Sequence, residues 1–378
     1  MATKDLMGLI YTGENDARLR ELTLTRAVAA LPVVGRYRII DFLMSNLTNA
    51  GARNVGVITQ RNYHSLMDHL GSGKEWDLHG KHDGLFILPP FLTRDNVGVY
   101  GGMLDALRSN IGYLRRSRQE YVLLTDSHVV YNIDYLEMLR QHVDSGADIT
   151  LLYHDAKPRL QQGVHEYRVY FDTNADGLIT ALEIDPVQPS FPNESLSAMI
   201  IRRELLVSIV AQTAAQGHHS FVRDVLQRSV NDQTLRVMGY RSPVRGWHID
   251  SVQSYYRFNM DTLQADVRQE LFDPRRPVYT KVRDDIAARY GDSATVSNSL
   301  VADGGRIEGT VENSIIFRGV YVAAGAIVRN SIVMQDAQVH EDAEIDHCIL
   351  DKQAVIKRGG RLIGPATYPI VISKNVTI

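Results

Sequence analysis

Two carboxylates stand in a loop whose place after the first predicted strand is typical of a phosphate-binding loop. The strand covers Leu6–Ile10, and the residues that follow it include Gly13, Glu14 and Asp16. A loop that binds phosphate needs glycines, because only a residue without Cβ lets backbone N–H groups approach the phosphate oxygens. A carboxylate ~4 Å from a phosphate charge instead costs about 4 kcal/mol at an effective dielectric constant of roughly 20. The loop therefore has the layout of a nucleotide site without the chemistry that such a site needs.

A calcium-binding pattern later in the chain is better interpreted as a turn. The pattern D-x-N-x-D-G begins at Asp172, and Glu183 follows at the spacing of a calcium loop. Calcium loops of this kind join two helices, whereas the flanking segments 167–171 and 178–182 have the composition of strands. We therefore expect a hairpin turn at Asn174–Gly177.

Two further motifs predict no site. The segment G-S-G-K at residues 71–74 lacks both the Ser or Thr after Lys74 and the first glycine of a P-loop, so it predicts a surface turn. The 13 histidines show no H-E-x-x-H pattern and no paired metal spacing. His340 and His347 are expected to face solvent. No metal ligand is assigned on this evidence.

The composition argues against several classes of partner. Lys and Arg number 41 and Asp and Glu number 44, and the net charge of −3 gives no support to nucleic-acid or anionic-membrane binding. The single cysteine, Cys348, excludes an internal disulfide and suits a reducing compartment. No apolar run approaches the ~20 residues of a membrane span, and no signal-peptide pattern is found. We expect a cytoplasmic protein.

The elements that must position the loop follow an α/β pattern through residue 270. Short apolar runs alternate with amphipathic stretches, which predicts a mostly parallel sheet. The predicted strands are Leu6–Ile10, Asn54–Thr59, Tyr121–Thr125 and Asp148–Tyr153. Apolar residues at helical spacing predict helices within 41–50, 103–114, 133–143 and 205–214.

After residue 290 the pattern changes to a repeat of 15 to 17 residues. The repeats start at Asn298, Asn313, Asn330 and His347. Within them an aliphatic residue recurs every six positions, as at Ile316, Val322 and Val328. Three such intervals per period predict three short faces per turn, which is a parallel β-helix. Cys348 holds the place of serine in the other repeats and is expected to be a packed residue.

Several motifs together carry a family signal. The most specific is G-R-Y-R-I-I-D-F at residues 35–42, followed by Ser45 and Asn46. Further matches are V-I-T-Q at 57–60 and H-S-F at 219–221. With these motifs the chain resembles the ADP-glucose pyrophosphorylase family over nearly its whole length. Those enzymes join ATP and glucose 1-phosphate into ADP-glucose, and they assemble as tetramers.

The resemblance implies a domain order. We expect a Rossmann-like nucleotidyltransferase domain at residues 1–270 and a left-handed parallel β-helix at 291–378. The segment 271–290 carries two prolines and a high charge density, and it is expected to be the linker.

The positions that the resemblance implies to be catalytic are altered. The loop L-A-G-G-x-G keeps Gly13 alone, the lysine of R-A-K-P is Val28, and the metal-binding aspartate of G-D is His128. The motif W-R-D-V-G-T reads W-H-I-D-S from Trp247, so its aspartate is displaced to Asp250 or absent. The degenerate catalytic positions are Gly13, Glu14, Asp16, Val28, His128 and Asp250. The chain is therefore predicted to be inactive or very weak on its own.

Other family positions are kept and could form a vestigial ligand site. They are Arg18, Arg36, Gln60, Tyr100, Gly102, Asp105 and Glu183.

A retained scaffold with altered catalytic positions implies a non-catalytic, regulatory subunit of a bacterial ADP-glucose pyrophosphorylase in glycogen biosynthesis. We expect it to bind a catalytic homologue in a hetero-oligomer, with a tetramer as the implied assembly, and to raise that partner's activity or substrate affinity. Self-association could also occur. No cofactor is expected on this chain, while Mg²⁺ is expected on the catalytic partner.

Two alternatives stay open. One is a weakly active sugar-1-phosphate nucleotidyltransferase in which His128 and Asp250 surround a metal ion. The other is a sugar-phosphate or nucleotide sensor without chemistry. Its anion contacts would come from Arg18, Arg26, Arg36 and Arg38.

Overall fold

The computed structural model describes residues 5–13, 16–80, 83–90, 100–156, 168–214 and 216–378. These residues divide into two compact units. The first unit takes in the described parts of residues 1–15 and 42–248 together with Pro274–Tyr279. The second takes in Asp16–Asp41, Ile249–Asp273 and Thr280–Ile378. Each unit is thus assembled from separate stretches of the chain.

The secondary structure through residue 271 alternates strands and helices. The strands are β1 (Leu6–Tyr11), β2 (Pro32–Val33), β3 (Tyr37–Arg38), β4 (Val55–Ile58), β5 (Leu85–Leu88), β6 (Tyr121–Asp126), β7 (Val129–Val130), β8 (Ile149–Asp155), β9 (Val169–Thr173), β10 (Ile179–Ile184), β11 (Asn193–Arg202), β12 (Val237–Arg241) and β13 (Trp247–His248). The α-helices are α1 (Ile39–Asn49), α2 (His64–Leu70), α3 (Met103–Ser109), α4 (Ile111–Arg116), α5 (Tyr135–Asp144), α6 (Arg203–Ala214), α7 (Arg228–Asp232), α8 (Val252–Asp261) and α9 (Ala265–Leu271). Short 3₁₀ turns lie at Ala17–Thr23, Val28–Ala30 and Lys74–Trp76, and a π-helical turn at Val222–Gln227. Within the described ranges, no helix is both long enough and apolar enough to cross a bilayer.

A mixed sheet organises the first unit. Its main path runs β10-β9-β11-β6-β1-β4-β5, and β8 pairs with both β11 and β12. Strands β5, β4, β1 and β6 are parallel to one another, while β11 runs antiparallel to β6, β8 and β9. Every residue of β1 is buried, as expected for a strand covered on both faces. The α/β prediction with its mostly parallel sheet is confirmed.

Close packing between α1 and β1 fixes the helix on the sheet. A Cβ atom placed on Gly8 of β1 would collide with the side chain of Leu47 on α1. Leu124 of β6 and Leu107 of α3 belong to one buried apolar cluster that also includes residues of α4 and α6. Apolar burial therefore holds these helices against the sheet.

The predicted strands agree with the observed ones to within two residues at each end. The predicted helical pattern at 103–114 is corrected, because the structure has two helices there, α3 and α4. Asn110 separates them with a non-helical backbone, and its side-chain amide donates to the carbonyl of Ala106 at 2.9 Å. Asparagine commonly competes with helix hydrogen bonds in this way.

The calcium-like segment forms the predicted hairpin. Strands β9 and β10 are antiparallel, and the Asn174 side chain accepts hydrogen bonds from the N–H groups of Asp176 and Leu178. Gly177 has a φ of 81°, a conformation that favours glycine. These contacts make the segment a turn between strands.

Beyond residue 288 the strands stack into coils. They are β14 (Arg289–Tyr290), β15 (Thr295–Ser297), β16 (Leu300–Val301), β17 (Arg306–Ile307), β18 (Thr310–Glu312), β19 (Ile315–Ile316), β20 (Tyr321–Val322), β21 (Ile327–Arg329), β22 (Ile332–Val333), β23 (Gln338–Val339), β24 (Glu344–Asp346), β25 (Cys348–Leu350), β26 (Val355–Ile356), β27 (Arg361–Ile363) and β28 (Ile370–Ile372). Every third strand belongs to the same parallel sheet, so three five-stranded sheets form the three faces. The predicted parallel β-helix is confirmed.

The six-residue interval places one aliphatic side chain of each face inside the coil. Ile316, Val322 and Val328 are fully buried, as are their counterparts in the next coil. Cys348 is also fully buried, and burial raises the pKa of its thiol to about 11. The expectation that Cys348 is a packed residue is therefore confirmed.

A column of small side chains joins successive coils. The Ser299 hydroxyl oxygen accepts from the N–H of Ser314, the Ser314 hydroxyl accepts from Ser331, and the Ser331 hydroxyl accepts from Cys348, each at 3.1 Å. The residue before each of these takes a left-handed backbone, with φ between 41° and 50°. Three of these four are asparagines, which tolerate that conformation better than most residues. The repeat found in the sequence is thus a structural one.

The second unit also contains segments from far earlier in the chain. Arg26 forms a bidentate ion pair with Asp351, at 2.8 and 2.9 Å, and both residues are buried. The Tyr256 hydroxyl of α8 donates to the carbonyl of Asn330 at 2.5 Å. Residues 16–41 and 249–273 are therefore bonded to the coils within this unit.

Candidate functional site

The predicted nucleotide site falls at the carboxyl ends of β1, β4 and β6. These strands are parallel, so their ends lie at the same edge of the sheet. Gly13, Gln60 and His128 follow the three strands directly. In open α/β sheets this edge is the usual place of a ligand.

Side chains fill the space beside Gly13. The Tyr11 hydroxyl donates to the carbonyl of Gly13 at 3.2 Å and lies 3.4 Å from Oε1 of Gln60. A Cβ atom on Gly13 would collide with both of these side chains. Gln60 in turn donates from Nε2 to the carbonyl of Tyr100 at 3.1 Å. The structure thus brings Gly13, Gln60 and Tyr100 together through hydrogen bonds between protein groups. Glu14 lies outside the described residues.

Gly102 and Asp105 lie together at the start of α3. The Asp105 carboxylate accepts from the N–H of Gly101 at 3.0 Å and contacts Nδ1 of His219 at 2.6 Å. A Cβ atom on Gly102 would collide with the His219 carbonyl. Asp224 accepts from the N–H of His219 at 3.1 Å. Asp105 therefore links the backbone at Gly101 to His219 of the H-S-F segment.

Glu183 lies apart from these residues, on β10. Its Oε1 accepts from the N–H of Ser190 at 2.7 Å. The contact ties down the segment that follows β10. A ligand role for Glu183 stays a prediction.

The other predicted positions belong to the second unit. Asp16 and Arg18 are half-buried beside or within the first 3₁₀ turn, and Val28 is buried in the second. Arg36 is exposed, with its guanidinium 5.7 Å from the centre of the Tyr37 ring. Asp250 precedes α8, and its Oδ1 lies 3.3 Å from the Ser251 hydroxyl. The position where the family pattern has a lysine is thus occupied by a buried valine.

A buried group that the sequence analysis did not identify lies at the same edge of the sheet. His154 at the end of β8, Glu194 near the start of β11 and His248 of β13 place their ligand atoms within 4.8 Å of one another. His154 Nε2 is 3.2 Å from Glu194 Oε2, and His248 Nε2 is 3.7 Å from Glu194 Oε1. The His128 ring centre lies 5.5 Å from that of His248.

Two neighbours hold the Glu194 carboxylate in place. Arg168 donates from Nη1 to Oε1 at 2.5 Å, and the Tyr170 hydroxyl donates to the same oxygen at 3.3 Å. Burial would raise the pKa of Glu194, but the His154 hydrogen bond and the Arg168 charge hold that pKa well below its usual range. Burial lowers the pKa of His248 to about 3. The group is therefore an ionised carboxylate beside a neutral imidazole.

No local pattern could have revealed this group. Its members lie 40 or more residues apart in the chain: β8 and β11 pair in the large sheet, whereas β13 pairs with β7 outside it. In the sequence, Trp247 and His248 stand out only as the start of the altered W-R-D-V-G-T motif.

The donors of this group do not fit Mg²⁺, the ion that the family resemblance implies. Mg²⁺ requires oxygen ligands in a near-octahedral arrangement at about 2.0–2.1 Å. Here His128 stands after β6 and His248 in β13, and the Glu194 carboxylate is paired with Arg168. These residues therefore do not fit a magnesium-dependent reaction.

Comparison with known proteins gives two family matches. Residues 7–265 match the model described as nucleotidyl transferase. Residues 284–366 match the GlmU-like C-terminal hexapeptide model, in agreement with the predicted left-handed β-helix.

Individual relatives match over nearly the whole chain. "Glycogen biosynthesis protein GlgD" of Bacillus subtilis (strain 168) is 34% identical, over 100% of this chain and 98% of the relative. "Glycogen biosynthesis protein GlgD" of Geobacillus stearothermophilus is 34% identical over 85% of this chain and 82% of the relative. "Glucose-1-phosphate adenylyltransferase" of Clostridium perfringens (strain SM101 / Type A) is 30% identical over 100% of this chain and 97% of the relative.

Proposed function

The chain belongs to the nucleotidyl transferase family, with a hexapeptide β-helix after the transferase domain, and from this membership we propose a role in glycogen biosynthesis. In that role it is a non-catalytic subunit. It binds a catalytic glucose-1-phosphate adenylyltransferase and raises the activity or substrate affinity of that partner.

The observation that carries the proposal is the packing beside Gly13. The Tyr11 and Gln60 side chains fill the space next to this glycine, which is the only glycine kept from the family's phosphate loop. Val28 and His128 stand where the family pattern has a lysine and a metal-binding aspartate, and both changes support the same proposal.

The size of the expected loss supports a chain without useful catalysis. Nucleotidyl transfer depends on positioning and on cations that neutralise the charge developing on phosphate. Removal of one such contact commonly lowers the rate by on the order of 10² to 10³. Three kinds of contact are altered here: the glycine cradle, the lysine and the metal ligand.

The effect on the partner is proposed to act through the interface. A subunit with no active site can still change its partner if it binds the active arrangement of that partner more tightly than the inactive one. The retained sheet and β-helix supply the surfaces for such binding. The proposal therefore needs an intact fold and no chemistry in this chain.

The test is an assay of ADP-glucose formation with purified proteins. The chain alone, the catalytic relative from the same organism alone, and the two together are compared at equal partner concentration. The mixture is expected to exceed the partner alone in rate or in affinity for glucose 1-phosphate, while the chain alone is nearly inactive. Strong turnover by the chain alone would refute the proposal, as would a mixture no better than its catalytic member.

One variant distinguishes the proposed non-catalytic role from the weakly active alternative. If His128 serves a residual magnesium-dependent reaction, His128→Ala abolishes turnover by the isolated chain. Under the proposal, His128→Ala leaves the effect on the partner unchanged as long as the variant folds. Circular dichroism of the variant supplies the check on folding.

One observation favours the sensor alternative. Burial, together with the positive charges of Arg38, Arg26 and Arg283, lowers the pKa of Lys352 to about 7. A phosphate bound beside Lys352 would gain from these charges, but it would also meet the carboxylate of Asp351, which already pairs with Arg26. Calorimetric titration with glucose 1-phosphate, ATP and ADP-glucose tests it, with Lys352→Met as the variant that should weaken binding. Absence of heat with all three compounds would count against a sensor of these ligands.

A further inference from the structure

Three side chains from three strands converge on one small volume in the first unit. His154 belongs to β8, Glu194 to β11 and His248 to β13, and their ligand atoms all lie within 4.8 Å of one another. His154 Nε2 lies 3.2 Å from Glu194 Oε2, and His248 Nε2 lies 3.7 Å from Glu194 Oε1. Ligand atoms at the corners of a tetrahedron with metal bonds of about 2.0–2.1 Å are separated by about 3.3–3.4 Å. The two separations lie on either side of this value and involve the two oxygens of one carboxylate.

His248 gives a second, independent indication. The residue is 7% exposed, and neither ring nitrogen has a hydrogen-bond partner among the described residues. A buried polar group without a partner is costly, and each such group in a folded protein needs an explanation. A metal ion bound to one ring nitrogen would satisfy it. The His248 imidazole faces Oε1 of the Glu194 carboxylate, so an ion bound to His248 would lie beside this carboxylate.

The surroundings resemble the second layer of contacts around known metal ligands. Arg168 and the Tyr170 hydroxyl both donate to Oε1 of Glu194, which leaves Oε2 directed at His154. Contacts of this kind orient the ligating carboxylate. The side chain of His154 is 23% exposed, and this exposure provides a path of entry for an ion.

We propose that His154, Glu194 and His248 bind a divalent transition metal ion of the zinc class. Two imidazoles and one carboxylate are a ligand set that Zn²⁺ uses, with a fourth position left to water. Mg²⁺ and Ca²⁺ require oxygen ligands and are excluded by the two nitrogens. The positive charge of Arg168 beside the carboxylate weakens the affinity relative to a site without it.

The ion would join β8 and β11 of the large sheet to β13, which pairs with β7 outside that sheet. Binding to the folded chain and not to the unfolded one stabilises the fold by mass action. This role is independent of whether the chain is catalytic. It also differs from the expectation drawn from the sequence, in which no metal ligand was assigned.

The experiment uses the untagged full-length chain, because an affinity tag of histidines would bind metal itself. The protein is stripped with a chelator and titrated with Zn²⁺ by calorimetry, and with Co²⁺ by absorption spectroscopy. One equivalent is expected to bind, and Co²⁺ is expected to show the ligand-field bands of a tetrahedral site. Excess Mg²⁺ is expected not to displace Co²⁺.

Variants show whether these three residues hold the ion. His154→Ala, Glu194→Gln and His248→Ala are each expected to weaken Zn²⁺ binding by at least about tenfold. His64→Ala removes an exposed histidine on α2 and is expected to bind Zn²⁺ like the natural chain. His154 is only partly buried, so its variant is expected to fold even where His248→Ala does not.

Three outcomes would overturn the proposal: no stoichiometric binding by the natural chain, equal binding by the natural chain and His154→Ala, or displacement of Co²⁺ by Mg²⁺. In any of these cases the group would be a hydrogen-bonded network of Arg168, Glu194 and His154 that stabilises the fold without a metal.

Discussion

Arg26 and Asp351 form a deeply buried ion pair between distant segments of the second unit. Their side chains are 3% and 1% exposed, and the guanidinium contacts both carboxylate oxygens. A buried pair of this kind adds little net stability, because desolvation of the two charges opposes their attraction. Loss of one partner is strongly destabilising, because it leaves an uncompensated charge in the interior.

We expect Arg26→Met to lower the free energy of unfolding by about 3–5 kcal/mol, and the double variant Arg26→Met with Asp351→Leu to recover most of that loss. The measurement is urea unfolding followed by circular dichroism. Arg140→Met serves as the control, because the exposed Arg140–Glu137 pair at 2.7 Å is expected to be worth less than about 1 kcal/mol. Similar losses at Arg26 and Arg140 would contradict the interpretation.

His142 predicts a pH dependence of stability. Burial and the charge of Arg202 lower its pKa to about 4, and Nδ1 lies 2.8 Å from the Thr150 hydroxyl. In the unfolded chain the pKa is about 6.5. Between these values the unfolded chain binds a proton that the folded chain does not, so stability falls as pH falls from 6.5 to 4. The contribution is at most about 3 kcal/mol and levels off below pH 4.

The check is urea unfolding at several pH values. His142→Gln is expected to show a shallower loss of stability between pH 6.5 and 4 than the natural chain. His64→Gln, an exposed position, is expected to follow the natural chain. Identical slopes for the natural chain and His142→Gln would show that His142 does not titrate in this window.

At the scale of elements, the β-helix is bonded by a column of hydroxyl groups between coils. Ser331 is fully buried, donates to the carbonyl of Arg329 at 2.5 Å and accepts from the N–H of Cys348 at 3.1 Å. The N–H of Cys348 therefore depends on one side chain of the preceding coil. Removal of that side chain leaves a buried donor unpaired.

Ser331→Ala is expected to lower the free energy of unfolding by about 1–3 kcal/mol. Ser299→Ala changes the same position of the first coil, where the hydroxyl is near solvent and water can replace it, so a loss below about 1 kcal/mol is expected. Thermal and urea unfolding of both variants give the comparison. A larger loss at Ser299 would contradict the account.

Elements with a local periodic signal were predictable, and the candidate site was only partly so. The coils repeat a pattern of apolar residues six positions apart, and each coil packs on its neighbour, so the sequence alone carries the period. The helix break at Asn110 depends on one side-chain hydrogen bond. The contact of Tyr11 with Gly13 depends on where one side chain is directed, and the meeting of His154 with His248 depends on how two separate sheets lie in the first unit. Neither leaves a local pattern.

At the scale of the whole molecule, each compact unit draws on separate parts of the chain. The second unit combines the coils with residues 16–41 and 249–273. Tyr255 of α8 is fully buried and donates to the carbonyl of Pro32 at 2.6 Å. The predicted boundaries at residues 270 and 290 divide the chain into consecutive segments. Unfolding of the isolated segments tests whether each one folds independently.

Residues 291–378 expressed alone are expected to unfold at a lower urea concentration than the same coils in the full chain, because they lack the segments that contain Arg26 and Tyr255. A control protein that joins residues 16–41 by a flexible linker to residues 249–378 is expected to regain most of the stability. Circular dichroism reports both transitions. Equal midpoints for the isolated coils and the full chain would show that the earlier segments are dispensable.

The stacked coils also imply a gradient of amide protection along the β-helix axis. Within the β-helix each coil is hydrogen-bonded to the coil before it and the coil after it, so local opening can begin at the last coil and progress inward. Tyr256 bonds the coil at Asn330, and Arg26 bonds the coil at Asp351. Hydrogen exchange followed by mass spectrometry should therefore find faster deuterium uptake in β27 and β28 than in β19 and β22. Uniform uptake across these strands would mean that the coils open as one cooperative block.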